Sequence, residues 1–211
     1  MSQTLRLHAD LYAEATPAGT YYAVSGPQTG ADRTLLLHIL QQGPILPLNE
    51  ERLLAWSGLD SIEEALSVLY RLQRLDFVLG RREGRPVPAG NLESRLPELL
   101  AALSSEGRAL LADDNGLYYA TSGFMHETAE EIAALAGDTM AMSRRHARLL
   151  NNHLGLQTAA WALTDPAGQA ELGFYPLYIG RQAFVLVIGG LPKLQGQAFV
   201  DMVEALCRRY A

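Results

Sequence analysis

The sequence predicts an α+β protein with a smaller N-terminal half and a C-terminal half built on an antiparallel sheet. Three observations predict it. The chain has 211 residues, 48% of them hydrophobic, which is enough to bury the core of one large domain or two small ones. Residues 81–91 are rich in proline, glycine and charge, as a domain boundary is. After this boundary, strand-like segments return on one another through turn signals. We therefore expect domains at 1–88 and 92–211.

Composition and charge exclude several classes of protein. The 17 basic and 23 acidic residues give a net charge of −6, which does not favour a general nucleic-acid coat. The single cysteine, Cys207, excludes an intramolecular disulfide and a multi-cysteine metal site. No run approaches the roughly 18 apolar residues of a membrane span, and the N-terminus has no signal-peptide pattern. We therefore expect a cytoplasmic protein without membrane contact. Arginine supplies every positive charge except Lys193, a bias typical of a GC-rich bacterial genome.

The N-terminal half begins with strand signals and continues with helix signals. Apolar and polar residues alternate over 5–11, and 21–24 is rich in β-prone residues, so we expect strands there. Three helices should follow, with Asp32, Asn49 and Ser61 as their capping residues. Residues 77–79 should form a further strand, which Gly84 turns back into a hairpin.

This order, three helices and then a two-stranded wing over residues 20–88, resembles the winged helix-turn-helix superfamily. In that superfamily the third helix lies in the DNA major groove. Here Glu63 and Glu64 stand at its start, where two carboxylates would face phosphate charge. The arginines that follow are candidate contacts for nucleic acid or for a protein partner: Arg71, Arg74, Arg81, Arg82 and Arg85. The carboxylates favour a protein-binding or architectural role, while DNA binding stays open.

The C-terminal half begins with a helix and a hairpin. The regular helix should begin near residue 95, because Pro97 is tolerated only in a first turn. Strands are expected on both sides of Asn115-Gly116, a dipeptide that accepts the positive φ angles of a tight turn. A long helix is then expected from about 126 to 154, since apolar and small residues recur there at spacings of three and four.

Three strands and a helix complete the half. The strands are expected at 158–164, 169–178 and 182–188, and the last of these is almost wholly apolar, as a central strand covered on both faces is. The final helix should run from about 195 to 210.

The order helix, hairpin, long helix, three-stranded meander, helix resembles the roadblock / dynein light-chain family, which is close to the longin and profilin-like folds. The resemblance covers about residues 92–211. The features that carry it are the acidic residue, glycine and apolar residue of the hairpin 113–117, the small residues of the long helix, and the meander from Tyr175 to Ile188.

The resemblance implies a five-stranded antiparallel sheet with the long helix on one face and two shorter helices on the other. It also implies a homodimer in which the long helices lie side by side and the third strands pair across the twofold axis. An unpaired edge strand invites such pairing, and a twofold contact is self-complementary. The expected interface residues are Ala136, Met140, Ser143, Ala147, Ala159, Ala160, Trp161, Ala162 and Leu163. Members of the family regulate small Ras-like GTPases or serve as scaffolds, and they usually have no catalytic residues.

The sequence contains few residue patterns that indicate catalysis or metal binding. There is no P-loop and no Gly-x-Ser-x-Gly elbow. His146 and His153 stand seven residues apart, about 10 Å along a helix, which is too far to share one metal ion. Asp113 and Asp114 are better explained as turn residues than as catalytic carboxylates. No cofactor and no metal are expected.

Three arginines late in the long helix are a further candidate contact for a GTPase: Arg144, Arg145 and Arg148. The favoured explanation is that they lie at a solvated helix end, where positive charge stabilises the helix dipole.

The sequence therefore predicts a non-enzymatic regulator or scaffold that forms a homodimer and binds a protein partner, with a Ras-like GTPase as the candidate. Two alternatives stay open. The protein is a transcription regulator whose N-terminal half reads DNA, or it is a sensor that holds a small ligand.

Overall fold

The computed structural model describes residues 5–8, 10–27, 30–86, 90–156 and 158–211. Its N-terminal half contains β1 (Tyr12–Ala15), α1 (Pro17–Val24), α2 (Ala31–Gln42), α3 (Glu50–Ser57), α4 (Ile62–Arg74) and β2 (Val78–Arg81). Its C-terminal half contains α5 (Leu92–Ala102), β3 (Ala109–Asp113), β4 (Tyr118–Ser122), α6 (His126–Arg145), β5 (Trp161–Thr164), β6 (Ala170–Ile179), β7 (Gln182–Gly189) and α7 (Gln197–Tyr210). A π-helical segment, Arg148–His153, follows α6.

The C-terminal half forms one five-stranded sheet in the order β4-β3-β7-β6-β5, and all of its strand pairs are antiparallel. This confirms the antiparallel sheet that the sequence predicts. β7 lies at the centre, and residues 183–189 are buried, which agrees with its apolar sequence.

Side-chain alternation divides the two faces of this sheet. Leu110, Val185 and Val187 pack with the buried residues of α6 in one cluster. The neighbouring residues Leu111 and Leu186 point the other way and pack with α5 and α7. The long helix therefore covers one face and the two shorter helices cover the other, as the roadblock resemblance implies.

The N-terminal half packs against α7 and extends the core on that face. Buried residues of α1, α2 and α4 belong to the same hydrophobic cluster as α5, α7 and the near face of the sheet. The Gln41 side chain donates a hydrogen bond to the backbone oxygen of Ala211 over 2.8 Å. Residues 87–89 of the expected boundary lie outside the described part of the chain.

The expected strand over 21–24 is wrong, because these residues belong to α1. The Thr16 hydroxyl accepts a hydrogen bond from the Gly19 amide, and Pro17 occupies the first helical position. These start signals, together with packing against α2 and α7, outweigh the β propensity of Tyr21 and Tyr22.

The expected strand over 5–11 and the hairpin at Gly84 are also wrong. The strand that forms is β1, and β2 pairs with it from Tyr12↔Arg81 to Ala15↔Val78. The wing-like ribbon is thus closed by a strand that precedes the helices. Gly84 lies close to the Pro44 oxygen and the Tyr12 ring, where a β-carbon would clash. Ala9 of the expected strand lies outside the described residues.

The helices of the N-terminal half keep most of their expected caps. Asn49 and Ser61 accept hydrogen bonds from the amides of Arg52 and Glu64, which confirms them as N-caps. Asp32 lies instead in the first turn of α2, whose N-cap is Gly30. There the Tyr22 hydroxyl donates a short hydrogen bond to its carboxylate. Gly58, in the left-handed conformation, ends α3, and four residues then separate α3 from α4 as in a helix-turn-helix.

Three element boundaries of the C-terminal half differ from expectation by three residues or more. α5 begins at Leu92, because Asn91 caps it, and Pro97 is tolerated inside it. α6 ends at Arg145 and the chain continues as the π-helical segment rather than as regular helix to 154. β5 begins at Trp161 rather than at 158. None of the helices in the described ranges has both the length and the apolar character needed to cross a membrane.

Candidate interaction surfaces

The small-residue stripe of α6 faces the sheet of its own chain. Ala136, Met140 and Ser143 are buried, and Ala136 and Met140 pack in the cluster between α6 and the sheet. Small side chains let the helix approach closely: the position of a β-carbon on Gly137 lies 3.2 Å from the Gly116 amide nitrogen. The sheet of their own chain already covers these three side chains, and their expected place in a dimer interface stays a prediction. Ala147, after the end of α6, is half-buried.

β5 is an edge strand. It pairs with β6 on one side, and among the described residues no strand pairs with its other side. Of the expected interface residues here, Ala159, Ala160 and Trp161 are half-buried, while Ala162 and Leu163 are exposed. The free N–H and C=O groups of such an edge can accept another strand.

Trp161 attaches this edge to the end of α6. Its indole Nε1 donates a hydrogen bond to the Ser143 hydroxyl over 2.5 Å, and that hydroxyl donates to the Thr139 oxygen over 2.9 Å. Leu163 lies two residues farther along β5, so its side chain points to the same face of the sheet as Trp161. It lies opposite Leu172 in the register with β6.

Four exposed leucines occupy β5 and the segment that connects α6 to it. These edge leucines are Leu149, Leu154, Leu156 and Leu163. Residues 146–160 run between two parts of the chain that the Trp161–Ser143 bond holds together, and residues 151–156 are exposed throughout. Sequence periodicity missed this feature, because the spacing of Leu150 and Leu154 continues the buried stripe of the long helix. The π-helical segment has no buried residues, so its leucines do not continue the stripe that packs against the sheet.

The arginines predicted as partner contacts fall into two groups. Arg85 is half-buried, and its guanidinium contacts Asp201 at 2.7 Å and Glu204 at 2.6 Å on α7. These carboxylates hold it within the chain, and its role as a partner contact stays a prediction. Arg81 pairs with Glu14 and Arg144 pairs with Asp114, and in both pairs the arginine side chain is exposed. The remaining candidates are exposed: Arg71, Arg74, Arg82, Arg145 and Arg148.

Glu204 is the buried centre of the arginine contacts on α7. Its side chain is 4% exposed, and Arg208 contacts its second oxygen at 3.0 Å. Burial raises the pKa of the Glu204 carboxyl, and the charges of Arg85 and Arg208 oppose that rise. The cluster therefore joins the residues after β2 to α7 by charge as well as by packing.

The structure places the remaining sequence candidates in structural roles. The Asp113 carboxylate accepts hydrogen bonds from the Asn115 and Leu117 amides, which confirms the turn. Cys207 is buried, and burial raises its thiol pKa to about 12. Within the described ranges no three His, Cys, Asp or Glu residues come together as metal ligands, and His146 and His153 are both exposed.

Comparison with known proteins gives two similar solved structures. No family model matches the chain, and no curated protein matches it. A Roadblock/LC7 domain from Streptomyces avermitilis is 15% identical, with a TM-score of 0.36, over 57% of this chain and 93% of that one. MglB of Myxococcus xanthus is 14% identical, with a TM-score of 0.36, over 58% of this chain and 92% of that one.

Proposed function

We propose that the protein is a non-enzymatic regulator or scaffold that forms a homodimer through the β5 edge and presents a composite surface to a protein partner. The observation that carries the proposal is the free edge of β5 with the exposed Leu163 beside it. A strand edge flanked by apolar side chains is a surface that soluble proteins cover. A second copy covers it by the same contact on both sides, because twofold interfaces are self-complementary.

The proposed interface differs from the one expected from the sequence. It keeps residues 159–163 and adds Leu149, Leu154 and Leu156. It uses the outer surface at the end of α6 in place of the buried stripe. Strand pairing supplies backbone hydrogen bonds, and the leucines supply apolar area.

The proposed partner class is a small Ras-like GTPase, which is what the sequence resemblance to the roadblock family implies. The geometry restricts where it binds. The N-terminal half packs on α7 and covers that side of the sheet, so a partner has the exposed surface of α6 and the sheet ends available. Arg145 and Arg148 lie there, exposed, at the end of the long helix.

Two measurements test this proposal. Light scattering on the intact protein should give twice the 23.0 kDa chain mass. Capture from a bacterial lysate, repeated with GDP and with a non-hydrolysable GTP analogue, should recover a Ras-like GTPase in a nucleotide-dependent amount. A monomer at all concentrations contradicts the dimer, and recovery of DNA without protein contradicts the partner class.

DNA binding is the second candidate, and the α3–α4 helix-turn-helix with exposed Arg71 and Arg74 favours it. Glu63 and Glu64 oppose it, because both are exposed at the start of α4, where base edges would lie. Salt-dependent retention of genomic fragments that Arg71→Ala with Arg74→Ala abolishes would support this function. Unchanged mobility at low salt rules it out.

A further inference from the structure

A cavity that opens to solvent on one side lies in the N-terminal half, between residues 5–8, the β1–β2 ribbon and α4. Its volume is about 100 Å³. Leu48, Leu69 and Val78 lie in its lining and are buried, so the cavity reaches the hydrophobic core. The other apolar lining residues are Leu5, Leu7, Leu11, Ala13, Leu66 and Leu79.

The lining of the cavity also contains polar residues. Arg6, His8 and Gln73 are exposed at the mouth, and the rings of Tyr12 and Tyr70 also line the cavity. Within the described residues, the Arg6 guanidinium and the Gln73 amide have no ion-pair or hydrogen-bond partner. The described lining residues include no carboxylate, and Arg6 is the one permanently charged residue among them.

We propose that this cavity binds a small aromatic carboxylic acid, with the ring among the leucines and the carboxylate at Arg6. An apolar cavity of roughly 150 Å³ is known to hold a benzene ring, so a volume of this order fits a single ring with slight adjustment of the leucines. A guanidinium matches a carboxylate through two parallel hydrogen bonds. An apolar pocket with few convergent polar groups is the usual form of a small-molecule site.

The position of the cavity couples its ligand to the helix-turn-helix. Leu66, Leu69, Tyr70 and Gln73 all belong to α4, while Arg6 belongs to the segment that closes the cavity from the other side. A bound acid therefore ties residues 5–8 to α4. Because a ligand that binds only the folded state stabilises it by mass action, binding raises the thermal midpoint of the N-terminal half.

The test uses the full chain and two probes of equal shape, benzoate and benzamide, followed by NMR titration. Benzoate should bind saturably with a Kd of roughly 1 mM or tighter, and benzamide about tenfold more weakly. Arg6→Gln should bring benzoate to the level of benzamide and leave benzamide unchanged. Arg82→Gln, an exposed arginine outside the lining, is the matched control and should change neither.

A cavity-filling variant separates this site from surface binding. Leu66→Phe places extra volume in the cavity at a half-buried position and should weaken both probes, with an unchanged circular dichroism spectrum confirming the fold. Absence of saturation below about 10 mM overturns the proposal, since even a compact ligand of this size should bind that well. Equal affinities of the two probes, or unaltered binding to Leu66→Phe, also overturn it.

Discussion

The Trp161 indole donates a hydrogen bond to the Ser143 hydroxyl over 2.5 Å and so joins the edge strand β5 to the end of α6. Ser143 lies in the small-residue stripe of α6, and Trp161 lies on the edge strand of the sheet. This bond fixes the place where the chain leaves α6 relative to the place where it returns as β5. Three exposed leucines, Leu149, Leu154 and Leu156, lie in the chain between these points.

Ser143→Ala should lower the free energy of unfolding by about 1–2 kcal/mol, because it leaves the half-buried indole N–H without its acceptor. Urea unfolding measures the change. Trp161→Phe in the Ser143→Ala background removes the orphaned donor, so the double variant should lose less than the sum of the two single variants. Additive losses would mean that the two side chains do not interact.

Leu163→Lys should convert the proposed dimer into a monomer, because a charge on an edge strand opposes pairing with another strand. Light scattering measures the mass. The matched control is Leu117→Lys in the β3–β4 turn, where the leucine is 68% exposed against 58% for Leu163. Equal effects of the two substitutions would show that exposure alone, and not the β5 edge, governs association.

Arg85→Met should destabilise the chain by about 2 kcal/mol, because it removes one cation from the buried Glu204 while Arg208 remains. Arg81→Met, which removes a cation whose side chain is 57% exposed, is the control and should cost at most about 1 kcal/mol. Chemical unfolding gives both values. A larger loss for Arg81→Met would contradict the structural role assigned to Arg85.

The Arg85→Met deficit should also depend on pH. Burial already raises the pKa of Glu204, and loss of the Arg85 charge raises it further. A carboxyl whose pKa is higher in the folded state holds its proton there more tightly, so stability falls as pH rises through that pKa. The deficit should therefore shrink toward acidic pH and grow toward neutral pH. Glu204→Gln in the Arg85→Met background should remove the dependence, and a deficit that stays constant with pH would refute this cause.

Cys207 should react with a thiol reagent at pH 8 only as fast as the chain opens. The thiol is buried, and its pKa of about 12 leaves almost no thiolate. The reaction rate followed by absorbance should rise in step with urea. Complete labelling of the native protein within the time of a free thiol would show that α7 is accessible.

The sequence predicts the C-terminal half well because each of its elements carries a local signal. Asn115-Gly116 marks the hairpin, and the apolar run of β7 marks the centre of the sheet. Local signals fail where tertiary contacts decide. Tyr21 and Tyr22 are β-prone residues in a helix, and β2 pairs with a strand four helices earlier in the chain instead of with one that follows Gly84.

The candidate surface was predictable only in part for the same reason. The edge position of β5 follows from the order of strands that the resemblance implies. The burial of Ala136 and Met140 could not be predicted, because a stripe of small residues is equally compatible with contact to a sheet or to a second helix. The change to a π-helical segment at Arg148 has no sequence signal that periodicity detects.

Amide hydrogen exchange of β5 is the most direct measurement of edge pairing between two copies. In the wild-type protein, the β5 amides that do not bond to β6 should be protected, and they should exchange freely in Leu163→Lys at the same concentration. The amide of the exposed residue Ala167, in the turn after β5, provides the unprotected reference within the same chain. Wild-type exchange of those β5 amides as fast as that of Ala167 would show that no second strand covers the edge.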